Sequence, residues 1–122
     1  MVKTLIFETG KQERVLVMVG GDRVAVSGHL KKALGDRNIR MAHPDAVLET
    51  TGYAIGSVPP FHWQPQNFRS FVDAALMREP VLGVGAGQWG REILITPENL
   101  VRASRASVVN LTDRERSVFP DS

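Results

Sequence analysis

Thr50-Thr51-Gly52-Tyr53-Ala54-Ile55-Gly56-Ser57-Val58-Pro59-Pro60-Phe61 sets two glycines and two prolines among apolar residues. A plain surface turn would be more polar. Glycine reaches backbone conformations that other residues resist, and proline fixes φ near −65°. The stretch therefore predicts a loop held in one shape, with backbone N–H groups free to face a ligand. Just upstream, Pro44 suits a first helical position, Ala46, Val47 and Glu49 continue a brief helix, and Gly52 ends it. The loop thus leaves a helix C-terminus. Just downstream, Phe61 to Gln66 is irregular and amphipathic.

Working outward, Met1 to Glu8 reads as a strand with Lys3, Leu5 and Phe7 on one face. A lysine in line with two large apolar residues either snorkels to water at the strand end or reaches into a cleft. After the turn signal Thr9-Gly10-Lys11, the apolar run from Arg14 to Val19 has the look of a central strand paired with the first. Gly20-Gly21-Asp22 is a turn and Arg23 to Val26 a short extended piece. Ser27 is an expected N-cap for a helix on Leu30, Ala33 and Leu34 that stops at Gly35, and Asn38 to Ala42 is a short strand. Further on, strands are expected at Phe68–Asp73, 80–85, 92–95 and 107–111, with a single turn at Ala74–Met77. Thr96-Pro97 opens a helix over 98–105. Most strand pairs are joined by turns too short for crossover helices. The expected fold is α+β, a mixed, largely antiparallel sheet with packed helices, forming one domain over 1–113 with a tail at 114–122.

The chain has 122 residues, 43% of them hydrophobic, a formal net charge of +2 and no cysteine. That length suits one domain with a modest core. The lack of cysteine excludes disulfides, thiolate nucleophiles and Cys-based zinc sites. No apolar run approaches a membrane span, and no charged-then-apolar leader opens the sequence, so no membrane partner and a cytoplasmic location are expected. The mild basicity permits nucleic-acid binding where charge clusters, as at Lys31, Lys32, Arg37 and Arg40 and at Arg102, Arg105, Arg114 and Arg116. Solvated faces are the ordinary reading of such clusters.

Few motifs carry chemistry unaided. The run Gly83-Val84-Gly85-Ala86-Gly87-Gln88-Trp89-Gly90 lacks dinucleotide-fingerprint spacing and leads into a strand where a fingerprint needs a helix. A tight turn lining a pocket, with glycines admitting a substrate to the backbone, fits better. His29, His43 and His62 show no ligand spacing, so no metal and no cofactor are expected. No serine sits in a nucleophile elbow. Asp73 caps the following turn or faces substrate. Trp63 and Trp89 close a core or stack on a base.

Taken together, Val2-Lys3-Thr4-Leu5, the Thr51–Phe61 stretch, Val84-Gly85-Ala86-Gly87, Glu92-Ile93 and Thr96-Pro97-Glu98-Asn99-Leu100 resemble, in order, the YbaK family of aminoacyl-tRNA deacylases, relatives of the editing domain of bacterial prolyl-tRNA synthetase. The resemblance spans nearly the whole chain. It implies hydrolysis of the ester joining a wrong amino acid to tRNA, most often alanine or cysteine on proline tRNA. The family's key lysine falls on Lys3, and its Gly-x-x-x-Pro loop on Gly56, Ser57, Val58, Pro59 and Pro60. Tyr53, Phe61, His62, Asp73, Gly85, Ala86 and Gly87 are the expected substrate-binding residues. The partners implied are the tRNA 3′ end and prolyl-tRNA synthetase. An aminoacyl ester is already activated, so positioning and backbone oxyanion stabilisation suffice without a protein nucleophile. A catalytically inactive tRNA- or synthetase-binding module is the alternative.

The sequence departs from the family in two places. His62 stands where the family usually has glycine, and the helical segment that normally precedes the lysine strand is not in front of Lys3. With Leu5, Ile6, Phe7 and Val15 to Val19 apolar on both faces, a homodimer is expected to bury the uncovered one.

Overall fold

A computed structural model describes residues 1–113; the expected tail at 114–122 lies outside the described residues. The elements are β1 (Val2–Thr9), β2 (Arg14–Gly20), α1 (Ser27–Leu34), β3 (Ile39–Met41), α2 (Pro44–Thr51), β4 (Ser70–Asp73), a 3-10 turn (Ala74–Arg78), β5 (Leu82–Gly85), β6 (Glu92–Ile95), α3 (Pro97–Ser104) and β7 (Ser107–Val109). Helix ends follow local chemistry. Gly35 and Gly52 close α1 and α2 in the left-handed conformation, with φ 75° and 81°. The Thr96 side chain accepts the Asn99 N–H to cap α3. Ser27 does not cap α1: it is the first helical residue, and Val26 holds the cap position without a side-chain bond.

The main sheet runs β3-β1-β2-β4-β7, and β5-β6 form a separate hairpin. β1 pairs antiparallel with both β2 and β3, whereas β2–β4 and β4–β7 are parallel. The sheet is mixed, as the sequence suggests, but its parallel half comes from the long connections. The chain passes through α1, β3 and α2 before returning as β4, and through the hairpin and α3 before β7. Counting short turns alone misses those returns.

Strand alternation divides the core between the two faces of the sheet. Val2 and Ile6 of β1, with Leu16, Met18 and Val72, face Val47, Val58, Leu76, Val84 and Leu100. Phe7, with Val15, Val17, Val19 and Phe71, faces Leu30 and Leu34 of α1 and Leu111. Val15 through Val19 are each 0% exposed. Both faces are therefore covered within one chain, and the uncovered face that motivates a dimer does not exist. Helix α1 supplies the second cover, at roughly 1.5–3 kcal/mol for each large apolar side chain removed from water.

One edge stays open. β3 reaches β1 only at Phe7, Glu8 and Thr9, so among the described residues no strand pairs with the outer edge of Val2 to Leu5.

Two carboxylates tie the sheet margins. Glu8 accepts from Arg40 at 2.7 Å and from Arg14 at 3.4 Å, and Glu13 takes a double contact from Arg69 at 2.7 and 2.8 Å. Hydrogen bonds from Arg40 and from Arg69 hold these carboxyls below the usual range. A depressed carboxylate stabilises the fold above its unfolded pKa and loses that contribution as pH falls through the folded value. Thermal stability should therefore drop on acidification below about pH 4.3. Glu13→Gln should flatten that limb while changing stability at neutral pH by at most about 1 kcal/mol, because the pair is solvent-exposed. Unfolding temperature measured against pH for both proteins is the check.

Candidate functional site

The Thr51–Phe61 stretch forms one fixed loop. At its start the Thr51 hydroxyl donates to the Val47 carbonyl at 2.8 Å and accepts the Tyr53 N–H at 3.0 Å. In the middle, the Ser57 N–H and hydroxyl both donate to the Ala54 carbonyl, at 3.0 and 2.8 Å, and Gly56 takes φ 87°. At its end Trp63 Nε1 donates to the Pro59 carbonyl at 2.6 Å and Gln64 Nε2 to the Pro60 carbonyl at 2.7 Å. Ser57, Val58, Pro59 and Pro60 are buried, whereas Gly56 is exposed.

The β5–β6 hairpin clamps this loop from outside. The Gly87 N–H donates to the Ser57 carbonyl at 3.1 Å. A Cβ on Gly85 would stand 3.0 Å from the Val58 carbonyl oxygen, and one on Gly87 (φ 88°) 2.8 Å from the Tyr53 ring. Close approach at Gly85 and both conformation and approach at Gly87 explain why the run is glycine-rich.

Loop, hairpin and the open edge of β1 enclose a cavity of about 280 Å³, lined by Lys3, Thr4, Gly56, Val58 and Gly85 together with Met1, Val2, Leu5 and Ile55. The volume lies near the lower end for ligand pockets, ~300 Å³. Of the expected catalytic residues, Lys3, Gly56 and Val58 thus meet at one cavity, and Gly85 joins them. Ser57, Pro59 and Pro60 do not line it; they hold the loop. Lys3 is half-buried, and its ammonium donates to the Arg23 carbonyl at 2.6 Å.

The loop offers fewer donors than its sequence suggests. Pro59 and Pro60 have no N–H, and that of Ser57 is spent on Ala54. Gly56 and Val58, both on the cavity wall, have no backbone acceptor among the described residues. Both N–H groups are available to an oxyanion.

The remaining expected residues form a layer behind or away from the cavity. Tyr53 packs under Gly87, and its hydroxyl meets His62 Nε2 at 2.9 Å. His62 takes φ 73°, which accounts for glycine in the resembling family at this position; here the Tyr53 contact helps hold a histidine in a conformation that disfavours a side chain. Phe61 packs half-buried against the core, and the Ala86 N–H closes the hairpin turn on the Arg91 carbonyl at 3.3 Å. Asp73, 1% exposed, accepts from the Leu111 N–H and the Thr112 hydroxyl and does not line the cavity. Trp63 closes the core in an edge contact with Phe68, whereas Trp89 is 86% exposed beside Gly56. The residue that sequence reasoning passed over is Thr4. Its signal is a hydroxyl between Val2 and Ile6, on a face otherwise apolar.

A model of the aminoacyl-tRNA editing domain matches residues 1–103. EbsC of Enterococcus faecalis, assigned as a Cys-tRNA(Pro)/Cys-tRNA(Cys) deacylase, is 26% identical over 113 residues, which are 93% of this chain and 68% of EbsC. The Ser/Thr-tRNA deacylase ProXp-y of Escherichia coli is 26% identical over 83% of this chain, which spans only 60% of that protein. A crystal structure assigned as a trans-editing enzyme for prolyl tRNA synthetase superposes with a TM-score of 0.82 at 30% identity, covering 92% of this chain and 69% of that one. With the match to the domain model extending over 1–103, the chain belongs to the aminoacyl-tRNA editing domain family.

Proposed function

We propose that this protein is a trans-editing hydrolase that deacylates mischarged tRNA carrying a small amino acid, Ala- or Cys-tRNA(Pro), in the cytoplasm. The observation that carries the reading is the convergence on one small cavity of Lys3 with the unbonded N–H groups of Gly56 and Val58. The ester carbonyl enters with its oxygen toward those two groups. They stabilise the tetrahedral oxyanion as it forms, and they need no reorganisation because Thr51, Trp63, Gln64 and Gly87 already fix the loop. Lys3 orients the substrate through the phosphate of the terminal nucleotide. The attacking group is water, or a hydroxyl or thiol of the substrate itself. A cavity of about 280 Å³ has room for a small aminoacyl group. Prolyl-tRNA synthetase is the partner this reading implies.

A non-catalytic tRNA-binding module is the second reading, favoured by the engagement of the Lys3 ammonium with the Arg23 carbonyl. Lys3→Ala separates the two. Under the hydrolase reading it should lower kcat/KM for deacylation by at least ~10²-fold, the scale of losing one positioned charged contact. Gly56→Ala should act likewise with a milder stability loss. The space around its Cβ is open, the nearest atom being Trp89 Cδ1 at 3.9 Å, so the cost is the left-handed backbone, about 1–2 kcal/mol. Deacylation assays on Ala- and Cys-tRNA(Pro), paired with melting curves, decide both. Wild-type turnover in Lys3→Ala would remove the lysine from the mechanism, and no turnover by the native protein would favour the module.

Binding of tRNA should also weaken steeply between low and physiological salt, because phosphate contacts release counterions. Affinity that stays flat across that range would point to a small-molecule ligand.

A further inference from the structure

Trp89 is 86% exposed, more than any other large apolar side chain among the described residues. An indole carries roughly 150–250 Å² of surface, and here most of it stays in water. Trp63 shows what a tryptophan does when it serves the fold: its Nε1 donates to the Pro59 carbonyl at 2.6 Å and its ring meets Phe68 edge-on. Trp89 forms no ring pair with another aromatic side chain among the described residues. Its backbone is nevertheless held. The Arg91 N–H donates to the Gln88 carbonyl at 3.0 Å and closes a turn around Trp89 and Gly90, while the Gly87 N–H ties the foot of that turn to the Ser57 carbonyl at 3.1 Å. Packing gives no reason for a wet indole on a fixed turn.

Its position gives one. The indole Cδ1 lies 3.9 Å from where a Cβ on Gly56 would stand, and Gly56 forms the cavity wall together with Ile55, itself 52% exposed. Inside the cavity little is polar. The polar side chains on its wall are Lys3 and Thr4, and the Thr4 hydroxyl is buried without a partner. A small aminoacyl group gains few directed contacts in such a space, so strong binding draws on what that group is attached to. With the ester carbonyl at the Gly56 and Val58 N–H groups, the ribose stands at the mouth, one glycosidic bond from its base. Every tRNA ends in the same nucleoside, adenosine. Its purine offers a flat π face, and an aromatic side chain stacks on such a face without any hydrogen-bond code. The other side chains on the turn are Gln88 and Arg91, both exposed. They do not make the contiguous apolar area that a protein partner would cover.

We propose that Trp89 is a substrate-binding residue that stacks on the adenine of the tRNA 3′-terminal nucleoside while the aminoacyl group occupies the cavity. The inference rests on the editing function proposed above and adds the anchor for the nucleoside. Because that adenine is common to all tRNAs, the stack strengthens binding of every aminoacyl group alike and takes no part in choosing among them. Loss of the indole should therefore raise KM about tenfold, the scale of one base–aromatic stack, with kcat held and the ranking of aminoacyl groups unchanged.

The test uses a pair of short RNA hairpins whose 3′ end carries alanine through an amide, which is not hydrolysed. One ends in adenosine, the other in an abasic ribose. Affinities for the native protein, Trp89→Ala and Trp89→Phe are measured by calorimetry, with melting curves to establish that each variant folds. An exposed side chain seldom carries a fold, so melting should move by a few degrees at most. The native protein should prefer the adenine end about tenfold. Trp89→Ala should bind both hairpins alike, and Trp89→Phe should recover much of the preference. A merely structural role would weaken both hairpins equally and leave the preference in place. A native protein that binds neither hairpin or ignores the terminal base, or a Trp89→Ala protein that keeps the preference, overturns the inference. So does a Trp89→Ala protein with native RNA affinity that no longer binds prolyl-tRNA synthetase or a second copy, which would put Trp89 in a protein interface. If the native protein hydrolyses no mischarged tRNA but shows the base preference through Trp89, the stack stands and the hydrolase reading falls. If hydrolysis is seen with a KM indifferent to Trp89, the hydrolase stands and the stack falls.

Discussion

The contact on which the site depends is that between the Gly85 backbone and the Val58 carbonyl. A side chain at 85 would begin 3.0 Å from that oxygen, closer than the hairpin and loop tolerate without moving apart. With no Cβ between them the two backbones close, and the Gly87 N–H reaches the Ser57 carbonyl. The Ser57 N–H is spent on Ala54 and the prolines have none, so Gly56 and Val58 are among the loop's donors left without a backbone acceptor. Any separation of hairpin from loop would widen the cavity and unfix the donors together. Rigidity here is a property of two segments about thirty residues apart in sequence, and neither has it alone.

The sequence made the local elements legible where chemistry acts locally. The β1–β2 and β5–β6 hairpins, the glycine stops at 35 and 52 and the Thr96 cap all stand where composition placed them. The parallel half of the sheet was not legible, because pairing of β2 with β4 and of β4 with β7 depends on how long connections return, and no short-range pattern records that. The apolar run Val15 to Val19 was correctly read as needing cover on both faces. What could not be read was the source of the second cover. Leu30 and Leu34 of α1 and Leu111 provide it from far along the same chain.

The site divides in the same way. Lys3, Gly56, Val58 and Gly85, expected from the family resemblance and the glycine- and proline-rich segments, line one cavity. Which loop N–H groups are free was hidden, since the Ser57 donor is consumed by a turn whose geometry appears only once Gly56 adopts φ 87°. Asp73 looked like a site residue for its charge, yet it is a buried anchor for the Leu111–Thr112 backbone and hydroxyl. Thr4 was overlooked because threonine is ordinary in strands; only its missing partner makes it informative, and a missing partner has no sequence signature.

The basic residues follow a different logic. Arg40 is paired with Glu8, and Arg14 with Glu8 and Glu49. These pairs sit at the Glu8–Thr9 end of β1, whereas the cavity sits at the Val2–Leu5 end. At ~3.3 Å per residue the two ends lie well beyond contact distance. Among the side chains that line the cavity, Lys3 carries the charge. Its long side chain would ordinarily lose up to about 2 kcal/mol of rotamer freedom on meeting a ligand. The bond to the Arg23 carbonyl has already taken much of that loss during folding. It uses one of three ammonium N–H groups and leaves two for an incoming anion. Under the proposed reading, a tethered lysine of this kind works by orientation more than by bulk attraction, which suits a domain of net charge only +2 acting on the one end of a large polyanion where the ester is held.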